Sequence, residues 1–178
     1  MARRTQEDTQ ITINTILDVA TEQLITLGYE KMSYTTLSEQ TGISRTGISH
    51  HFAKKADIPR ALQGRLLKMM MDKLDLSDNE AAFIASWKHH FDDAEFMAIW
   101  RLAFLMTVCE HHTPYLCDFQ SQVEAVTSFK LSKDSQRTIE WLIGLTLLTL
   151  HSDKQKRTIK KAEHPARLSC FCFFSYQE

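Results

Sequence analysis

The sequence predicts an all-α fold, and three observations carry that expectation. Only five Gly and three Pro punctuate 178 residues. Val is sparse beside long runs of Leu, Ile, Ala, Met, Lys, Glu and Gln, a balance that favours helices over a many-stranded sandwich. Apolar residues recur at three- and four-residue intervals instead of alternating. With 43% hydrophobic and 24% charged residues, the chain has material for one or at most two compact domains. The same composition excludes a disordered tail, a collagen-like repeat and a low-complexity segment.

In chain order, Ile13, Ile16, Leu17, Ala20, Leu24 and Leu27 mark a first helix over about residues 10–27, with Gly28 as its left-handed stop. After a turn through Tyr29 to Met32, Ser33 is placed to cap a short helix, YTTLSEQT, which turns Leu37 inward and ends at Gly42. Ser44 caps a second short helix, RTGISHHF. A fourth helix is expected from about Lys54 to Leu74, since Ile58, Leu62, Leu66 and Met69 line one face and Pro59 is tolerated in the first turn.

Composition changes beyond this point. The first 77 residues hold three aromatics and the remaining 101 hold fourteen, which points to a second functional region. Ser77 and Glu80 have capping-box spacing for a helix to about Phe91. Asp92 or Asp93 opens the next, FMAIWRLAFLMTV, apolar nearly all round and therefore central. Thr113-Pro114 begins a helix to about Phe129, and Asp134 or Ser135 one to about Leu150, making eight helices. Lys154, Lys156, Arg157, Lys160 and Lys161 then form a basic run read as a solvated helix end or loop, and Pro165 interrupts it. The chain closes on SCFCFFSYQE, without helical period. The expected division is a head at 1–53, a helical region at 54–153 and a segment at 154–178 with no assigned role.

Cys109, Cys117, Cys170 and Cys172 form no CxxC pair, and the polar start MARRTQEDTQ is not a secretory signal, so a reducing cytoplasm is expected. The longest apolar stretch, residues 141–150, falls short of the roughly 18 to 20 residues that cross a bilayer and reads as a buried helix, so no membrane partner is expected. A glycine-rich phosphate loop, a GxSxG elbow, an HExxH motif and a recognisable carboxylate pair are all missing, which argues against an enzyme and implies no cofactor. A net charge of −1 offers no overall attraction to a polyanion, so a nucleic-acid function has to rest on local geometry.

That geometry is present between Tyr34 and Phe52. Two short helices crossing steeply need a small residue where they meet, a Gly at the turn and an apolar pin on the second helix. Ser38, Gly42 and Ile48 stand at those points, with Leu37 and Ile43 filling between them. The outward positions are then Arg45, Thr46, Gly47, Ser49, His50 and His51, none of them acidic. Arg45 suits guanine O6 and N7, Thr46 and Ser49 suit a phosphate or base, and Gly47 lets backbone approach closely. Small residues and Gly also serve ordinary tight helix pairs, and His50 and His51 also read as solvated surface histidines.

The stretch SYTTLSEQTGISRTGISHHFAKKADI resembles the TetR family of bacterial transcription regulators, matching its pattern at Ser33, Leu37, Ser38, Gly42, Ile43, Ser44, Ile48, Phe52 and Lys55. The likeness covers about residues 10–66, and LGYEKMSYTTLSEQTGISRTGISHHF is similar to the LuxT-like regulators, whose relatives act in quorum sensing and motility control. The resemblance implies DNA contacts at Tyr34, Thr35, Arg45, Thr46, Gly47, Ser49, His50, His51 and Lys55. The chain departs from the family pattern at Ser49, where a Tyr is usual. It also implies a homodimer on a double-stranded, palindromic operator, since one recognition helix reads only a few base pairs and two must sit about 34 to 36 Å apart or a multiple of it.

Dimer-interface candidates are Ile139, Leu142, Ile143, Leu147 and Leu150. A repressor controlled by an unidentified small-molecule effector is implied as well, with Trp87, Phe91, Trp100, Phe104, Met106 and Tyr115 as candidate pocket walls, although aromatic stripes more often simply form core. Two further readings stand beside it. His89, His90, Cys109, His111, His112 and Cys117 lie close enough in sequence for a metal- or redox-responsive regulator, although adjacent histidines point to different helix faces. The charge-neutral head and Ser49 suit an interaction adaptor with weakened DNA binding.

Overall fold

The computed structural model describes residues 6–77, 79–109 and 133–162. Helices α1 (Gln6–Thr26), α2 (Tyr34–Thr41) and α3 (Arg45–His51) build the head, and α4 (Asp57–Met71) leads out of it to α5 (Glu80–His89), α6 (Ala94–Cys109) and α7 (Lys133–Ala162), with a 3-10 turn at His90–Asp92. The described fold is all-α, as expected. The helix expected from Thr113 to Phe129, with Tyr115, lies outside the described residues, as does 163–178.

α1 begins earlier than its apolar stripe suggests and closes where Gly28, at φ +83°, returns its N–H to the Gln23 carbonyl at 3.0 Å. Ile16, Ala20 and Leu24 are buried along it, whereas Leu27 falls in the closing turn and is exposed. α4 is shorter than its pattern, because the chain turns through residues 53–56 before Asp57, whose carboxylate accepts the Lys54 N–H at 2.7 Å. Ile58, Leu62 and Leu66 are buried as expected, and Met69 is half-buried. The cap of α5 is Asn79 instead of Ser77: its side-chain oxygen accepts the N–H groups of Ala81 and Ala82 at 3.0 and 3.2 Å, while Glu80 accepts the Thr138 hydroxyl.

α6 is the centre of the molecule, packed against α1, α4 and α7. One continuous core runs from Leu37 and Ile48 in the head through Leu62 to Phe96, Trp100 and Leu142. α7 continues well past Leu150, through a stretch rich in Lys, Gln and Arg and free of Gly and Pro, and such residues sustain a helix.

The junction of α4 with α6 is ionic. Asp93 accepts the N–H groups of Glu95 and Phe96 at 2.8 and 3.3 Å, and its other oxygen lies 2.7 Å from Lys73, which also reaches Glu95 at 3.0 Å. The His90 ring donates through Nε2 to the Lys73 carbonyl at 2.7 Å. Burial pushes the Asp93 carboxyl up, but the Lys73 ammonium and the two N–H groups outweigh it and hold the carboxyl below its ordinary value. The bond to Asp93 raises Lys73 against the pull of burial.

A depressed carboxyl contributes stability that is complete above its unfolded value of 3.8 and is lost as pH falls through the lower folded value. The raised ammonium contributes fully below 10.5 and is lost only as pH climbs through its raised value. The junction is therefore at full strength across neutral pH. Lys73→Met is expected to cost about 1–2 kcal/mol in urea unfolding at pH 7, a cost that shrinks on the acid side of Asp93's titration. An equal cost at both pH values would assign the loss to packing of the lysine stem.

Candidate nucleic-acid interface

The head is built from local caps. Ser33 accepts the Thr36 N–H at 3.1 Å while the Thr36 hydroxyl accepts the Ser33 N–H at 2.9 Å, a reciprocal box that starts α2. Gly42, at φ +71°, ends α2 and returns its N–H to Ser38 at 3.0 Å, a backbone state that a side chain would strain. Ser44 then starts α3 by accepting the Gly47 N–H at 3.1 Å. Leu37 and Ile48, both fully buried, pin the two helices to the core.

This leaves one side of α3 facing outward. Arg45, Thr46 and His50 are exposed, as is Thr35 on α2, and Gly47, Ser49 and His51 are half-buried. Among the described residues no carboxylate pairs with Arg45. Residues 41–56 contain Arg45, Lys54, Lys55 and two histidines but no acid, so a locally basic face sits on a head of balanced charge. The rings of His50 and His51 meet edge-on with centroids 5.3 Å apart, and the Ser49 hydroxyl donates to the Thr46 carbonyl at 3.1 Å. At about 1.5 Å per residue the seven residues of α3 span roughly 10 Å, a length that enters a major groove about 12 Å wide.

Two of the expected contacts are engaged within the head. The Tyr34 hydroxyl donates to the Phe52 carbonyl at 2.7 Å, tying the start of α2 to the end of α3, and burial followed by the Asp57 charge pushes its pKa above the ordinary phenol value. The Lys55 ammonium lies 3.3 Å from the Glu30 carbonyl and 4.3 Å above the Tyr29 ring, and burial lowers its value more than Glu30 raises it. Gly47 also has an internal reason: a Cβ there would meet Ile43 Cγ2 at 3.0 Å and Ser44 Oγ at 3.3 Å. Sequence reasoning missed Gln23, buried at 4% exposure between α1 and α2; a lone Gln in an amphipathic helix gives no local signal of such a role.

Elsewhere, Trp87, Trp100 and Met106 are fully buried, and Phe91 and Phe104 are half-buried. Ile139 and Leu142 are buried within the subunit, Ile143 and Leu150 pack on the same core, and Leu147 is half-exposed. Ile139 and Leu142 are thus occupied by packing inside the subunit, and among the described side chains of α7 the large exposed apolar ones are Trp141, Leu147 and Leu148. Among the described residues no three His, Cys, Asp or Glu side chains gather to hold a metal; His111, His112 and Cys117 lie outside the described residues.

Residues 16–62 match bacterial regulatory proteins of the tetR family, and residues 63–150 match the tetracycline repressor LuxT C-terminal domain. The chain belongs to the TetR family. The two matches follow each other without a gap and meet inside α4, so this TetR-family regulator carries its DNA-binding head and a LuxT-type C-terminal domain in tandem. No curated protein matches the chain. The family is one of regulators, not of enzymes, and no described helix is long and apolar enough to cross a membrane.

Proposed function

We propose that this TetR-family protein is a homodimeric repressor that reads a palindromic operator with α3 of each subunit, in the cytoplasm where promoter DNA lies. The observation that carries this reading is the outward, acid-free face centred on Arg45, held at a set angle by two capped helices and two buried pins. Arg45 reads a guanine edge; Thr35, Thr46, Ser49, His50 and His51 reach phosphates or bases. Tyr34 and Lys55 act first through the head, setting the exit of α3. Dimerisation uses the exposed face of α7. A small-molecule effector enters beside the half-buried Phe91 and Phe104, since Trp87, Trp100 and Met106 are already packed. The likeness of residues 27–52 to the LuxT-like regulators extends the proposal to cell-density control.

The test is selection of a binding sequence from a randomised duplex pool, followed by titration at several salt concentrations. Arg45→Ala is expected to weaken binding to the selected duplex by about 1–3 kcal/mol and relax one base preference, with an unchanged unfolding curve. Each phosphate neutralised steepens the logarithmic salt dependence by about 0.9. Parent-like affinity of the Arg45→Ala protein would remove Arg45 from the interface.

A further inference from the structure

Gln23 lies on α1 and is buried at 4% exposure, with none of the residues assigned to DNA on its own helix. Its buried amide is the middle of a hydrogen-bond chain that crosses from α1 to α2. Nε2 donates to the Thr36 carbonyl at 3.0 Å and to Gln40 Oε1 at 2.9 Å. Oε1 accepts from the Thr36 hydroxyl at 2.7 Å, and Gln40 donates onward to Glu22 at 2.9 Å. The Thr36 hydroxyl is also the acceptor of the capping box, so the start of α2 and the buried amide share one atom.

On the same helix Ala20 and Leu24 are buried, and on α2 Leu37 is, so the rest of the buried surface of the two helices is largely apolar. Apolar contact is non-directional and lets one helix slide or roll against another at little cost. Hydrogen bonds to two points on α2, at Thr36 and at Gln40, restrain both movements because their strength depends on angle as well as distance. Any shift of α2 carries α3 with it, since the two are joined by the short Gly42 turn and by the bond from Tyr34 to Phe52.

We propose that Gln23 is a positioning residue for DNA recognition, which sets the register of the α2–α3 pair on α1 and so aligns Arg45 with its base edge. The proposal rests on the DNA-reading function above.

The experiment uses the full chain with Gln23→Met, which keeps the length of the side chain and removes its hydrogen bonds, and Gln40→Met, which removes one anchor from an exposed position. Both are titrated, at a temperature where their unfolding curves show them fully folded, against the duplex the parent selects and a scrambled duplex of the same composition. Gln23→Met is expected to bind the selected duplex about tenfold more weakly, and Gln40→Met to show part of that loss, while affinity for the scrambled duplex and its salt slope stay unchanged. A Gln23→Met protein that melts earlier yet keeps parent selectivity would overturn the proposal in favour of a packing role. If Gln23→Met does not fold, parent selectivity in Gln40→Met overturns it. A parent that selects no sequence removes the DNA-reading function itself, and this proposal with it.

Discussion

Replacing Trp141 and Leu148 together with Glu is expected to leave a folded monomer that no longer binds the operator at concentrations that saturate the parent. Trp141 is 49% exposed, Leu148 66% and Leu147 50%, a concentration of apolar surface on one helix. Trp141 and Leu148 are seven residues apart and share a face, with Gly144 between them; among the described residues nothing lies within 4 Å of where a Cβ on Gly144 would be, which leaves room for a partner helix to approach closely. Two carboxylates placed on that apolar face are costly to desolvate. Leu148 already faces water, and the half-exposed Trp141 gives up a cation–π contact with Lys88, whose ammonium lies 4.8 Å from the ring.

In the proposed dimer each α3 reads one half-site, and losing the linked second half is expected to cost about 10²- to 10⁴-fold in operator affinity. Light scattering after size exclusion gives the mass and titration gives the affinity. A double variant that stays dimeric and binds like the parent would place the interface elsewhere.

The second large effect belongs to Trp87. Its ring is fully buried, with centroids 5.7 Å from Phe83, 6.0 Å from Phe96 and 5.2 Å from Trp100, and its indole N–H donates to the Thr146 hydroxyl at 2.9 Å. Thr146 is itself fully buried and donates to the Leu142 carbonyl at 2.7 Å, so α5 is tied to α7 inside the core. Trp87→Ala therefore leaves a cavity and takes from the Thr146 hydroxyl its donor, and is expected to cost about 3–5 kcal/mol in chemical unfolding. Thr146→Val keeps the volume and takes away the acceptor of the buried Trp87 N–H, for a loss of about 1–3 kcal/mol. A loss below about 1 kcal/mol for Trp87→Ala would instead make this ring the wall of an open pocket.

Much of the head was legible because its decisive interactions are short-range. Ser33, Gly42 and Ser44 act within four residues of themselves, and the spacing that turns Leu37 and Ile48 inward needs only helical period. Asp93 opens α6 for the same reason. Choices between equivalent local signals were not legible. Ser77 and Asn79 both have the chemistry of a cap, and the outcome goes with Glu80 engaging Thr138, far along the chain. Along α7, residues 141–150 are apolar on almost every side, so periodicity does not say that Ile139 and Leu142 turn inward while Trp141 and Leu148 turn outward.

By itself, then, the sequence determined an all-α chain, its starts and stops in the head, and the outward acid-free run around Arg45. The tertiary structure alone decided which side chains are already engaged. Tyr34 meets Phe52, Lys55 meets Glu30, and Gln23 meets Thr36 and Gln40 across 18, 25, 13 and 17 residues. Such pairings exist only once separate helices are packed, because a side chain's donor or acceptor has no partner until folding brings a distant segment within about 3 Å of it.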